Sequence, residues 1–384
     1  MKCTILNRNY PPGSGITGNS ANELAVYLEQ SGIEVHVVTV GGDYQGGGAM
    51  NAKIHGTVHA LGHLYNGKNK LLRLFSSLFE GWKMARKAVS IGCGPIICMT
   101  DPPLLNYWVS RQAKRRSIPW IYWSMDLYPE AFCAGGLVND RNPLYRFLKR
   151  RLLQAPPNAL IALGPNQAEL IQGEYSEAIE TVILPCGIMQ SQETSTFPDW
   201  AVSDGKIVIG YAGNIGEAHS DTFIKSVIDA IDPAKHQFVL SAYGSKAQAI
   251  LEYAQGREGI TVVHNVAREH LQLIDVHVVT LLPGWDHVCV PSKAVSAVCE
   301  GAAVFICCTK LNDNWALLHK AAWRVDVDCD LPRVVSEFIT KLTSDDVKKA
   351  RENALQVSTK LLQLKERAFE EISQYVKLLQ HAAT

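Results

Sequence analysis

Short apolar runs and amphipathic segments alternate along this chain, and the series runs through twice. That rhythm constrains the fold more than any other feature. The runs Cys3–Leu6, Glu34–Val40, Ile96–Met99, Trp120–Trp123, Ala159–Leu163 and Thr181–Leu184 have strand length and are mostly apolar. Strands buried on both faces of a helix-covered parallel sheet read this way. Segments such as Ser20–Ser31, with Leu24, Ala25 and Leu28 on one face, supply the crossover helices. After a Ser/Thr/Gln/Pro stretch, Met189–Pro198, the series restarts at Ile207–Ala212. It continues through Gln237–Ala242, Ile260–Val263, His277–Leu282 and Val304–Cys307. The expected class is α/β, with Rossmann-like domains at 1–188 and 189–362. The chain's 384 residues also exceed one ordinary core.

A long helix is expected from Ser344 to Gln380. Ser344 is its expected cap, with Asp345 and Asp346 in the dipole-favoured first turn. Its apolar stripe is Val347, Ala350, Ala354, Val357, Leu361 and Leu364, and residues 363–384 are expected to pack back on the first domain. The formal net charge is zero, so no bulk field points to nucleic acid. Ten cysteines, with no CxxC and mostly in apolar runs, suit reduced thiols in a cytoplasm. The N-terminal stretch has too short an apolar core for a signal peptide, and no run approaches the length of about 18 residues needed to span a membrane.

Four clusters sit where strands end. "YPPGSGITG", Tyr10–Gly18, puts Gly13 and Gly15 before the first helix, where glycine lets backbone approach a ligand and helix N–H groups face an anion. A tight βα turn would look the same. "AGNIG", Ala212–Gly216, has glycines at 213 and 216 around Asn214 but lacks the G-x-G-x-x-G pattern. "AYGSK", with Ser245 and Lys246, stands where a dinucleotide fold needs an acidic ribose ligand. Nicotinamide and flavin binding therefore rank low. "PSKAVSAVCEG" starts a helix near Ser292, which is its expected cap, and Gly301 ends it. Lys293 in the first turn opposes the helix dipole unless an anion sits there, though a solvated lysine is the plainer reading. "YWSMDLYPEA" places Asp126 just past a buried strand, where ligands bind in open α/β sheets; a turn aspartate is the alternative.

If the two sets of strand ends face one another, the ligand lies in the cleft between the domains. The second domain has the clearer anion apparatus and is expected to hold a nucleotide diphosphate. His55, His59 and His63 recur every four residues like metal ligands on a helix. Intervening glycines argue instead for loop or strand, and no metal site is expected. The segments 71–88 and 143–154 are basic and amphipathic. Such helices usually pack on a sheet, but they can also rest on an anionic membrane.

The stretches "YPPGSGITGNSANELAVYLEQSGIEVHVVT", "MDLYPEA", "IGYAGNIGEAHS" and "VPSKAVSAVCEGAAV" resemble family 4 glycosyltransferases of the GT-B fold, in the branch with YxGNxG and PSK motifs. The likeness extends over nearly the whole chain. It implies a retaining, metal-independent transferase that needs no cofactor. Such an enzyme moves a hexose from a UDP-sugar, such as UDP-glucose or UDP-N-acetylglucosamine, to a glycan or lipid-linked acceptor in polysaccharide biosynthesis. It implies donor contacts from Gly13, Gly15, Asn214, Gly216, Ser245, Lys246, Ser292, Lys293 and Ser296. His264 and Asn265 would lie at the base, and Asp126 would face the acceptor or reacting sugar; Asp126 and Lys293 are the catalytic candidates. The family's Glu-x7-Glu pair would fall at Val288 and Ser296, neither acidic, with Asp286 and Glu300 as weakly spaced substitutes. The Asp-rich run 326–330 reads as a surface turn. A cytoplasmic location, peripheral at the inner face of a membrane, is expected. Two rivals stand beside this reading: a degenerate scaffold or sugar-nucleotide sensor, and a GT-B epimerase using Asp126 with Glu130.

Overall fold

The computed structural model describes residues 1–13, 15–41, 53–65, 70–92, 94–191, 197–201 and 205–381. The chain forms two compact units. The first comprises Met1–Cys186, His287–Cys289 and Leu364–Thr384; the second comprises Gly187–Asp286 and Val290–Gln363.

In the first unit the chain runs β1 (Lys2–Leu6), α1 (Ile16–Gln30), β2 (Glu34–Thr39), β3 (Thr57–Ala60), α2 (Lys70–Ile91) and β4 (Ile96–Cys98). It continues as α3 (Leu105–Arg116), β5 (Trp120–Ser124), α4 (Glu130–Ala134), α5 (Pro143–Leu153), β6 (Ala159–Ala162), α6 (Pro165–Gln172) and β7 (Glu180–Ile183). The seven strands pair in parallel in the order β3-β2-β1-β4-β5-β6-β7. Its interior strands are buried on both faces, which explains their unbroken apolar character. Leu24, Ala25 and Leu28 of α1 are fully buried, and α1 begins at Ile16, four residues before the expected start. Burying one such leucine contributes about 1.5–3 kcal/mol. The linker residues 192–196 lie outside the described residues.

The second unit runs β8 (Ile207–Asn214), α7 (Asp221–Asp229), β9 (His236–Tyr243), α8 (Ala247–Ala254), β10 (Ile260–Val262), β11 (Val276–Thr280), α9 (Ser292–Cys299), β12 (Ala303–Cys307), α10 (Asp313–Leu318), β13 (Ala322–Val325), α11 (Leu331–Lys341) and the start of α12 (Ser344–His381). Its six strands are also parallel, in the order β10-β9-β8-β11-β12-β13. Tyr211, Phe223, Phe238 and Phe305 fill the core between sheet and helices, and Val347 and Ala350 of α12 join them. Of the remaining stripe residues, Ala354, Val357 and Leu361 pack under α9 and β12, and Leu364 is only half-buried. Ala368, Phe369, Ile372 and Val376 are buried within the first unit, where Phe369 meets Tyr27.

Thr343, not Ser344, caps α12. Its Oγ1 accepts from Asp346 N–H at 3.2 Å, while the Asp346 carboxylate accepts from Thr343 N–H at 3.1 Å. This reciprocal box satisfies helix-start donors that Ser344, one residue further on, cannot reach.

Candidate functional site

In the second unit β8 and β11 are neighbours; β9 and β10 continue the sheet on one side, β12 and β13 on the other. Ligands of open α/β sheets bind at the carboxyl ends of such a strand pair. The loops 215–220 and 281–291 leave from there. Leu282 N–H donates to the Ala218 carbonyl at 2.9 Å, and Ser220 N–H to Thr280 Oγ1 at 3.2 Å, so the loops hold one another.

Lys293, in the first turn of α9, reaches this point. Its Nζ donates to Tyr211 Oη at 2.7 Å and to the Asn214 carbonyl at 3.1 Å, and lies 4.3 Å over the Tyr211 ring. Tyr211 Oη also donates to the Asn214 carbonyl at 2.6 Å. Lys246 approaches from the β9–α8 turn, its Nζ donating to the His219 carbonyl at 2.7 Å. Gly244 has φ +110, and a Cβ there would stand 2.0 Å from Asn214 Oδ1. Only glycine permits that close approach of turn and loop. Gly216 N–H donates to His219 Nδ1 at 3.2 Å. Burial, then the charge of Lys293, with a smaller part from Lys246, pushes the His219 ring down to about 2, so it stays neutral.

The structure thus brings Asn214, Gly216, Lys246 and Lys293 together. Ser245 lies beside them, but its Oγ donates to Glu217 at 2.9 Å. One expectation needs correction. Ser292 does not cap α9: Pro291 holds that position, without a side-chain cap, and leaves the helix N-terminus open beside Lys293. The helix that follows the glycine loop is closed, because Ser220 Oγ accepts from Phe223 N–H at 3.2 Å and Asp221 fills its first turn. Ser296 is buried, its Oγ donating to the Gly187 carbonyl at 3.2 Å. His264 and Asn265 are exposed beyond β10, at the sheet edge. They line an open groove of about 640 Å³ with Trp200, Thr261 and His270.

Neither acidic substitute is idle. Glu300 accepts from Ser191 N–H at 3.0 Å and Ser191 Oγ at 2.9 Å and meets Arg268 at 3.4 Å, which fastens the linker. Asp286 accepts from Thr309 Oγ1 at 2.6 Å and Asn312 Nδ2 at 3.1 Å, near the loop into α9. In the Asp-rich run, Asp326 pairs with Arg324 at 3.0 Å and Asp330 caps α11.

In the first unit the equivalent strand pair is β1 and β4. Gly13 N–H donates to the Tyr10 carbonyl at 3.1 Å, and Gly15, with φ +139, stands at the uncapped start of α1. Sequence reasoning missed the polar group at these strand ends. Asn9 Nδ2 donates to Asp101 Oδ2 at 3.1 Å, and Arg8 lies 3.6 Å from Asp101 while also pairing with buried Glu80. Asp126 follows β5, next to β4, and its N–H donates to Thr100 Oγ1 at 3.1 Å. Its carboxyl is pushed up to about 6, first by desolvation and then by the Asp101 charge. The side chain keeps exposed surface despite these dense surroundings, so solvent screens part of the effect. Glu130 is held by Lys149 at 3.1 Å.

The three periodic histidines go separate ways: His55 to Glu29 at 2.8 Å, His59 to His36 at 3.1 Å, and His63 to Glu80 at 3.6 Å. His59 lies on β3, an edge strand rather than a helix. No disulfide joins the described cysteines. Helix α2 exposes Leu72, Phe75 and Phe79, and α5 exposes Leu144 and Phe147 beside Arg146 and Arg150. Lys149 turns inward to Glu130 and Glu174. No helix among the described residues is long and apolar enough to cross a membrane.

Sucrose-phosphate synthase from Thermosynechococcus elongatus superposes with a TM-score of 0.71 at 15% identity, over 100% of both chains. WaaG, a glycosyltransferase involved in lipopolysaccharide biosynthesis, gives 0.67 at 14% identity, over 96% of this chain and 99% of that one. Anabaena HepE, in complex with UDP and glucose, gives 0.65 at 13% identity, over 97% and 100%. The fold is GT-B. No family model and no curated protein matches the sequence. The GT-B assignment therefore rests on the two sheets and their order, and residue roles rest on the geometry above.

Proposed function

We propose that this chain is a glycosyltransferase that takes a hexose from a UDP-sugar and transfers it to a glycan or lipid-linked acceptor. One observation carries the reading: Lys293 and Lys246 converge on the glycine loop at the switch point of the second sheet, beside the open start of α9. A leaving diphosphate develops negative charge, and ammonium groups already held at the loop, with helix N–H groups, stabilise it. Anabaena HepE was solved with UDP and glucose, which agrees with a nucleotide-sugar donor on this fold.

The donor's diphosphate meets Lys293, Lys246 and the backbone of residues 213–216 in this reading, and the first unit takes the acceptor. Asp126 stands at the carboxyl ends of its central strands, near enough to Asp101 to feel its charge. With its carboxyl shifted towards neutrality, Asp126 exchanges a proton or a hydrogen bond with a sugar hydroxyl. The resemblance favours retention of configuration, the departing phosphate drawing the acceptor proton on the same face, with no metal. Exposed Leu144 and Phe147 beside Arg146 and Arg150 support peripheral contact with an anionic membrane carrying the acceptor, at the cytoplasmic face.

The test is turnover. UDP-glucose and UDP-N-acetylglucosamine are incubated with the full chain and lipid-linked or oligosaccharide acceptors, and products are read by NMR. Transfer, with the anomeric configuration kept, is expected. Epimer formation, or UDP binding with no transfer or hydrolysis of any donor, would replace this reading with one of its rivals.

A further inference from the structure

The ring of His219 is fixed on one edge and has no protein partner among the described residues on the other. Gly216 N–H donates to Nδ1, so Nδ1 accepts and carries no proton. A protonated ring would have donors at both nitrogens and would lose this bond. The side chain is 9% exposed, and its burial beside Lys293 and Lys246 also opposes protonation. The proton of the neutral ring therefore sits on Nε2.

Among the described residues nothing accepts from Nε2, and this atom is not sealed from the surface. Nε2 reaches the surface, so water serves it when no ligand is bound, and a ligand oxygen can take that place. Such an acceptor must carry lone pairs and tolerate the two ammonium groups that act on the ring. An anionic oxygen meets both conditions. Glu217, the nearby carboxylate on the loop, accepts from Ser245 and makes no hydrogen bond with the ring.

We propose that His219 binds the donor's diphosphate as a neutral hydrogen-bond donor through Nε2–H, its tautomer fixed by Gly216. This rests on the nucleotide-sugar reading above and adds a residue to it. The division of labour is physical: the lysines supply charge, and the histidine supplies direction without adding a third positive charge to a crowded loop. Gly216 gains a role too, because its N–H sets the tautomer and need not itself touch the anion.

Two measurements test the proposal. Histidine-side-chain ¹⁵N NMR on the full chain should find His219 with bare Nδ1 and protonated Nε2 from about pH 5.5 to 8, where ordinary histidines titrate. A protonated Nδ1 overturns the proposal without any variant. Adding UDP should shift the Nε2–H resonance. In calorimetry, His219→Asn, which can keep an acceptor near Gly216 but loses the Nε2 donor, should bind UDP roughly 10- to 100-fold more weakly. His219→Gln, with a donor at the reach of Nε2, should recover part of that loss. Equal UDP affinity in wild type and His219→Asn overturns the histidine's role alone. Absence of UDP binding in wild type overturns the underlying reading as well.

Discussion

Lys293→Ala should weaken donor binding without unfolding the protein, and the structure says why the two effects separate. The amine makes hydrogen bonds of 2.7 and 3.1 Å and sits 4.3 Å over the Tyr211 ring. When the amine is removed, Tyr211 Oη still donates to the Asn214 carbonyl at 2.6 Å. The stability cost is therefore about 1 kcal/mol, the sum of a modest cation–π contact and partly solvated hydrogen bonds. A phosphate about 4 Å from the amine gains at most about 4 kcal/mol at an effective dielectric of 20. The amine must loosen its present contacts to serve it, so the net loss is about 1.5–3 kcal/mol, or roughly 10- to 150-fold in UDP affinity. Calorimetric titration with UDP, beside urea unfolding of both proteins, separates the terms. Unchanged UDP affinity in a folded Lys293→Ala protein would refute the placement of the diphosphate.

Other consequences follow from named contacts. The pH–rate profile should carry a limb near pH 6 from Asp126, and Asp101→Asn should move that limb down, because removing a like charge favours ionisation. The sign for stability is opposite to that of an ordinary salt-bridged aspartate. A raised folded pKa favours the protonated form, so the contribution falls as pH rises from about 4 towards 6; a limb unmoved in Asp101→Asn contradicts the coupling. Glu300→Ala should cost about 2–3 kcal/mol in urea unfolding, since Arg268 and the Ser191 groups lose a buried acceptor. Turnover per folded molecule should stay unchanged, and a selective rise in donor KM would instead make Glu300 a ligand residue. Leu144→Glu with Phe147→Glu should abolish co-sedimentation with anionic vesicles while leaving UDP affinity intact; unaltered sedimentation removes α5 from any membrane surface.

The fold was legible because buried parallel strands announce themselves as apolar runs, as Ile207–Val208–Ile209 does. The strands that escaped notice are at sheet edges. Thr57–Ala60 is mostly exposed and carries a histidine, and Ala322–Val325 is only partly buried, so neither shows a buried pattern. The candidate site was readable where it is local, at the glycine loop and the start of α9. Arg8, Glu80 and Asp101 were not, because only the adjacency of β1 and β4 and the packing of α2 bring these residues together from distant parts of the sequence. Ser292 and Ser344 misled for one reason: capping depends on a one-residue difference in where the helix starts, which Pro291 and Thr343 decide.

The most direct test of the central claim is thermal unfolding of the full chain across a panel of nucleotides, from UDP and UDP-sugars to NADH. A ligand at 100 times its Kd adds about 2.7 kcal/mol to the folded state. UDP and a UDP-hexose should raise the midpoint, and Lys293→Ala should erase most of that rise. Stabilisation by NADH, with none from any UDP compound, would contradict it.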